Sequence, residues 1–138
     1  MKPEERDKII DELRAEYPVE DLVQFNEFDL QDKLQKNAFI YIQYQDLFYK
    51  ERAHLEHLFS LKERLVGTLY DKFRFHDERK LDKKEIEKYY IPNDKKMIAL
   101  EKLIDLQKVR VEFFEVISTA INKMGWDIKN YLEAGKIL

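Results

Sequence analysis

Between Asp29 and Phe75 the chain contains no proline and one glycine, Gly67. The apolar residues of this segment that share one helix face are Tyr41, Tyr44, Phe48, Leu55, Leu58, Leu65 and Leu69. Their spacing predicts one continuous helix, and at about 1.5 Å per residue that helix would be on the order of 60 Å long. Because a helix of that length does not fit a compact monomer of 138 residues, the pattern favours a coiled coil or an assembly.

A second long helix is predicted from about Asp94 to Lys123, with Gly125 as its C-terminal cap. One apolar stripe along it comprises Leu103, Leu106, Val109, Phe113, Val116, Ala120 and Met124. The stripe is widened by Ile104, Val111, Phe114, Ile117 and Ile121. A helix that is apolar over so much of its circumference is usually buried on more than one side. In a chain this short, we expect the second side to be covered by another subunit.

Shorter elements flank the two long helices. A helix is predicted after Pro3 and ends at Pro18, and residues 76–92 form a charged connection whose face we expect to be solvated. The sequence therefore predicts an all-α fold, a long helical hairpin with short flanking helices. We expect an acidic N-terminal arm at residues 1–27 and a hairpin domain at residues 28–138 that carries the binding and oligomerisation surfaces.

The charges are distributed unevenly along the chain. Residues 1–33 carry a net charge of −6, residues 34–90 carry +2, and residues 91–138 carry +1. Because the acidity is concentrated in the arm, the remainder could present a basic face to a nucleic acid. The sequence contains no cysteine, no membrane-length apolar run and no secretory signal pattern, so we expect neither a membrane protein nor a disulfide-bonded one.

Few residues in the sequence are suited to catalysis. Glu51 and His54 have the Glu-x-x-His spacing of di-metal helical bundles, and His54 with His57 could share a metal. A second Glu-x-x-His is missing, since the residue three before His76 is Phe73. The sequence also lacks a glycine-rich phosphate loop and a cysteine nucleophile. We therefore expect no enzymatic activity, no catalytic residue, no metal and no cofactor.

Basic residues lie among aromatic ones between Ser60 and His76. The bases are Lys62, Arg64, Lys72, Arg74 and His76, and the aromatics are Tyr70, Phe73 and Phe75. Proteins that bind single strands without sequence preference combine such groups, although aromatics at helical spacing are more often packed in a core. Lys62 and Arg64 diverge by about 200° on one helix. They could line one strand only if the helix is distorted near Gly67 or if neighbouring subunits complete the surface.

Three motifs point to a known family. The sequence "LKERL" at 61–65 resembles the L-K-x-R-L motif of the UvsY recombination mediators of T4-like bacteriophages. The sequence "AINKMGWDIK" at 120–129 resembles that family's A-I-x-x-x-G-aromatic-x-I-K segment, and "EAGK" at 133–136 resembles its C-terminal ending. The motifs occur in the family's order, and the resemblance spans most of residues 28–136.

The resemblance implies a helical protein that forms a ring-like homo-oligomer, binds single-stranded DNA and has no catalytic activity. It also implies two protein partners, a phage RecA-like recombinase and a phage single-strand-binding protein, and action in the cytoplasm of the infected bacterial host. Lys62 and Arg64 match the family's DNA-contacting residues, and Lys72 and Arg74 extend this surface on composition alone.

For assembly, the resemblance points to the region around Trp126 and Ile128, and the wide apolar stripe adds further positions. The expected oligomerisation residues are Phe113, Phe114, Ile117, Ile121, Trp126 and Ile128. The alternative is a coiled-coil adaptor or scaffold that binds a protein through the acidic arm and does not bind DNA.

Overall fold

A computed structural model describes residues 1–24, 26 and 28–137 of the chain. Its α-helices are α1 (Pro3–Glu16), α2 (Glu20–Val23), α3 (Leu30–Phe75), α4 (Lys83–Glu85) and α5 (Lys95–Ile137), and a π-helical turn, Ile86–Tyr90, follows α4 directly. The described residues contain no strand, so the predicted all-α fold is confirmed. The predicted domain boundary falls at residue 27, which lies outside the described residues.

The chain divides into two compact units. The first, which we call the connector unit, combines Met1 with Ala53–Lys108, and the second, the terminal unit, contains the other described residues. In the connector unit Lys62 pairs with Glu101. In the terminal unit Asn37 bonds to Ile121. Further along α3 in the same unit, Glu51 bonds to Arg110, which lies earlier in α5 than Ile121. The two helices therefore pack antiparallel, as the predicted hairpin requires.

The core of the connector unit is formed by Leu69 and Phe73 from α3, Met97 from α5, and three aliphatic residues of the connection. Those three are Leu81, Ile86 and Ile91. They are spaced five apart, which matches no α-helical face. The amide of Ile91 donates to the carbonyl oxygen of Ile86 at 3.0 Å, and this π-type bond carries both side chains into the core. The charged face of the connection is solvated as expected, and its three aliphatic residues form an opposite face that is buried in the core.

The N-terminal helices cover α5 within the terminal unit. Leu13 of α1 is buried in the same cluster as Phe113, Phe114 and Ile117 of α5. Tyr17 supports the same packing, since its ring meets that of Phe114 edge to face at a centroid distance of 5.0 Å. The chain's own N-terminal arm therefore covers a part of α5 that we had expected another subunit to cover.

The stripe predicted for α5 differs from the buried one. Leu103, Leu106 and Val116 are exposed, whereas the polar residues Gln107 and Ser118 are buried. Ser118 is 1% exposed, and its hydroxyl oxygen has no hydrogen-bond partner among the described residues. Because polar residues occupy inward positions, the apolar pattern alone misplaced the packing face.

Gly125 lies inside α5 instead of ending it, which corrects the predicted C-terminal cap. No glycine has a positive φ, the conformation that such a cap requires. Asn37 of α3 lies directly against this position, where a Cβ atom would approach Cγ of Asn37 to 2.8 Å. The Nδ2 group of Asn37 donates to the carbonyl oxygen of Ile121 at 2.8 Å. Glycine is therefore needed here for the close approach of α3 to α5.

Candidate nucleic-acid interface

The exposed side of α3 in the connector unit carries two of the predicted DNA-binding residues. Arg64 and Lys72 are both exposed. They are eight residues apart, which at 3.6 residues per turn separates them by about 80° around the helix and about 12 Å along it. Both can therefore face one extended polyanion on the same side of the helix. We call the exposed side that includes Arg64 and Lys72 the α3 outer face.

Lys62 points in another direction. Its side chain is 39% exposed, and its Nζ lies 3.3 Å from Oε1 of Glu101 on α5. The α3 helix continues through Gly67 without a break, so no distortion there brings Lys62 round to Arg64. The sequence left two ways for Lys62 and Arg64 to contact one strand, a distorted helix or neighbouring subunits. The helix is not distorted, so only the contribution of neighbouring subunits remains.

Arg74, the fourth predicted residue, is tied to the connection after α3. Its Nη1 group donates to the carbonyl oxygen of Leu81 at 2.7 Å. This bond joins the end of α3 to the following segment at Leu81, whose side chain is part of the connector core. Arg74 is nevertheless exposed, so its guanidinium also contributes positive charge to the surface at the end of α3.

The three aromatics of the basic stretch lie in different environments. Phe73 is buried and Tyr70 is half-buried against the connector core, as expected for packed aromatics. Phe75 is 70% exposed. It lies eleven residues after Arg64, about 20° from it around the helix, so its position is also on the α3 outer face. Exposure separates Phe75 from the other two, although all three share the same basic surroundings in sequence.

An ion pair orders the segment after α3. The Nε and Nη2 groups of Arg79 donate to the two carboxylate oxygens of Asp77, each at 2.9 Å. These bonds lower the pKa of Asp77 to about 2. The guanidinium also lies 4.6 Å from the centre of the Tyr90 ring. Asp77 therefore remains ionised at neutral pH, with its negative charge offset by Arg79.

Glu51, one of the possible metal ligands, is bonded to an arginine of α5. Glu51 accepts hydrogen bonds from Nη2 and Nε of Arg110, at 2.7 and 3.0 Å. Hydrogen bonding to Glu51 raises the pKa of Arg110, which keeps the guanidinium charged. Among the described residues, no group of three or more histidine, aspartate or glutamate side chains is placed to hold a metal ion. Glu51 thus serves to join α3 to α5.

The predicted oligomerisation residues divide into two groups. Five of them are buried within the chain: Phe113, Phe114, Ile117, Ile121 and Ile128. Trp126 is 57% exposed, and Nζ of Lys129 lies 5.2 Å from the centre of its ring. Nothing in the structure tests whether these residues take part in assembly, so that role stays a prediction.

Sequence reasoning missed one basic residue of the segment that follows α3. Lys80 is exposed there and forms no ion pair with any described residue. Phe75 and Lys80 line the same cavity. The only sequence signal was the density of bases in the connection, and it does not indicate which of them are already paired.

The described helices define the fold: two long antiparallel helices, an ordered connection between them, and short N-terminal helices packed on the second one. The chain is similar in structure to the bacteriophage T4 recombination mediator protein UvsY, known from a crystal structure. The TM-score is 0.72, with 99% of this chain and 97% of that chain covered, at 13% sequence identity. No family model matches the chain, and no curated protein matches it.

This likeness confirms the fold that the three sequence motifs implied. In the described part of the chain, no helix has both the length and the apolar character to cross a membrane.

Proposed function

We propose that the protein is a non-enzymatic recombination mediator that binds single-stranded DNA. The observation that carries the proposal is the structural similarity to a T4 recombination mediator over 99% of this chain. The α3 outer face supports it, because Arg64 and Lys72 are exposed on one side of a continuous helix. In this role the protein helps to load a phage RecA-like recombinase onto strands covered by single-strand-binding protein, during recombination, repair and recombination-dependent replication in the host cytoplasm.

The binding mechanism is electrostatic and multivalent. One subunit contributes only a few phosphate contacts, which are too few for tight binding alone. A ring-like homo-oligomer would join several such surfaces on one strand and raise their effective concentration. Affinity should then fall steeply with salt, because each phosphate contact releases counterions. Little sequence preference is expected, since phosphates carry no base information.

Lys62 enters this mechanism through its ion pair. A phosphate would compete with Glu101 for its ammonium group, which lies 3.3 Å from the carboxylate. The contribution of Lys62 should therefore be smaller than that of Arg64, and Glu101→Gln should strengthen DNA binding by freeing Lys62 and removing a negative charge. If DNA binds the α3 outer face, Arg64→Ala should weaken binding more than Lys62→Ala. If DNA binds between α3 and α5 instead, Lys62→Ala should weaken it more.

The test is fluorescence anisotropy of a labelled oligo-dT strand over a series of salt concentrations, with duplex DNA as competitor. The unsubstituted protein should bind the single strand in preference to the duplex, more weakly as salt increases. Arg64→Ala and Lys72→Ala should each weaken binding and make the slope of log affinity against log salt shallower by about 0.7 for each phosphate that is no longer neutralised. Helicity measured by circular dichroism should not change.

Lys8→Ala is the matched control. Lys8 is an exposed lysine of α1, in the terminal unit, and therefore lies on a different helix from the α3 outer face. Its substitution changes the net charge equally but should leave the affinity and salt slope close to those of the unsubstituted protein. If the unsubstituted protein fails to bind even at low salt, the mediator proposal is wrong and the adaptor remains. If Lys8→Ala weakens binding as much as Arg64→Ala, the charge effect is general and the α3 outer face is not the site.

A further inference from the structure

The C-terminal end of α3 and the segment that follows it border a cavity of about 410 Å³. Phe75 lines it from α3, and Lys80 and Leu81 line it from the following segment. This volume falls within the range of about 300 to 1,000 Å³ that is usual for small-molecule sites. The cavity can therefore accept a group the size of a nucleobase with its sugar.

Phe75 gives the cavity an aromatic wall. The neighbouring Phe73 is buried in the connector core, whereas Phe75 is 70% exposed although it is wholly apolar. Aromatic rings in such positions stack with bases in proteins that bind single strands, largely without regard to sequence. Among the described residues, the Phe75 ring does not belong to the connector core.

The charged groups around the cavity are mostly satisfied by one another. Arg79 is bonded to Asp77, and Arg74 to the Leu81 carbonyl oxygen. Asp82 accepts the amide of Glu85 at 2.8 Å and so caps α4. Lys80 remains as an exposed cation that forms no ion pair with any described residue. The surroundings thus offer one aromatic face and one available ammonium group, which suit a base and its phosphate.

We infer that Phe75 stacks on a base of bound single-stranded DNA at this cavity, while Lys80 contacts an adjacent phosphate. The inference rests on the proposed function and adds a base-binding position to it. Phe75 lies about 16 Å along α3 from Arg64 and only about 20° around it. One strand running along the α3 outer face can therefore contact Arg64 and Lys72 through phosphates and then reach Phe75 with a base.

The experiment compares oligo-dT with an abasic strand of the same length, which has the same phosphates and no bases. Stacking contributes about 1–3 kcal/mol per base, so the unsubstituted protein should bind oligo-dT about fivefold or more tightly than the abasic strand. Phe75→Ala should abolish this preference while leaving the affinity for the abasic strand unchanged. Phe75→Trp should retain the preference, because it keeps an aromatic face.

Two further variants separate stacking from general effects. Tyr89→Ala removes another exposed aromatic of the connector unit that does not line the cavity, so the base preference should persist. Lys80→Ala should weaken the binding of both strands by the same factor, since it removes only a phosphate contact. Circular dichroism should show unchanged helicity in every variant, because all three side chains are exposed.

The outcomes distinguish this site from the function on which it rests. If the unsubstituted protein binds neither strand at low salt, the proposed function is wrong and the site with it. If it binds both strands equally, or if Phe75→Ala retains the preference for oligo-dT, the stacking site is overturned while DNA binding stands. Loss of the preference in Tyr89→Ala as well would also overturn it.

Discussion

Gly125 lies in the interior of α5, where alanine would normally be the better residue. Replacing glycine by alanine would stabilise the helix by about 1 kcal/mol through its higher helix propensity. It would also overlap the side chain of Asn37, and overpacking of this kind costs about 1–3 kcal/mol. Displacing Asn37 would break its 2.8 Å bond to the carbonyl oxygen of Ile121, which contributes about 1 kcal/mol. We therefore expect Gly125→Ala to destabilise the fold by about 1–3 kcal/mol.

A double-mutant cycle with Asn37 isolates the cause. Asn37→Ala alone should cost about 1 kcal/mol, because it removes the hydrogen bond to Ile121. In that background the Cβ at position 125 meets no asparagine, so Gly125→Ala should become neutral or stabilising. The two substitutions should thus be strongly non-additive, as expected for residues in direct contact. Urea unfolding monitored by circular dichroism, at one fixed protein concentration, gives the four free energies of unfolding.

Gly67→Ala is the control in the other long helix. Gly67 lies inside α3, and apart from the adjacent backbone of its own helix a Cβ there meets no atom within 4 Å. Its replacement should stabilise the fold by about 1 kcal/mol, from helix propensity alone. If Gly125→Ala also stabilises, the close approach of α3 and α5 is refuted. If it destabilises by the same amount with and without Asn37, the glycine acts as a helix cap and the helix ends there.

Two other expectations concern α5. Ser118→Ala should raise the free energy of unfolding by about 1 kcal/mol, because it removes a buried hydroxyl that has no hydrogen-bond partner among the described residues. Urea unfolding measures this change, and a loss of stability would mean that the hydroxyl is hydrogen-bonded. Trp126→Asp should give smaller species in sedimentation with unchanged helicity, because Trp126 is exposed within the chain, and an unchanged mass would place the assembly surface elsewhere.

The two long helices differ in how well the sequence predicts them. The prediction for α3 starts at Asp29 and ends at Phe75, and the structure has Leu30–Phe75. Most of its inward positions are apolar, although Asn37 and Glu51 also contact α5, and its interior lacks proline, so periodicity was sufficient to predict its bounds. In α5 the inward face includes Gln107, Ser118 and Gly125, and the sequence does not predict that these residues are buried. Their burial depends on what α3 places opposite them, and periodicity within one helix carries no such information.

The candidate site shows the same limit. The basic stretch could be found by composition, and the divergence of Lys62 from Arg64 followed from helix geometry alone. The ion pair of Lys62 with Glu101 depends on a residue 39 positions away, which only the packing of α3 against α5 brings close. The exposure of Phe75 follows from helix geometry, because Phe75 lies two residues after the buried Phe73, the same spacing that separates Lys62 from Arg64. The cavity beside Phe75 was hidden, because Lys80 and Leu81 of the connection help to form it.

The directions of these cations predict a connection between the proposed DNA binding and the proposed assembly. Each α3 presents Arg64 and Lys72 on its outer face and Lys62 towards α5, and the regular helix at Gly67 keeps them apart. One strand could contact Lys62 and Arg64 together only where two subunits approach it. A variant that dissociates the oligomer should therefore lose the contribution of Lys62 as well as the gain from multivalency. In a dissociated Trp126→Asp protein, Lys62→Ala should then have no effect on affinity, whereas Arg64→Ala should still weaken it.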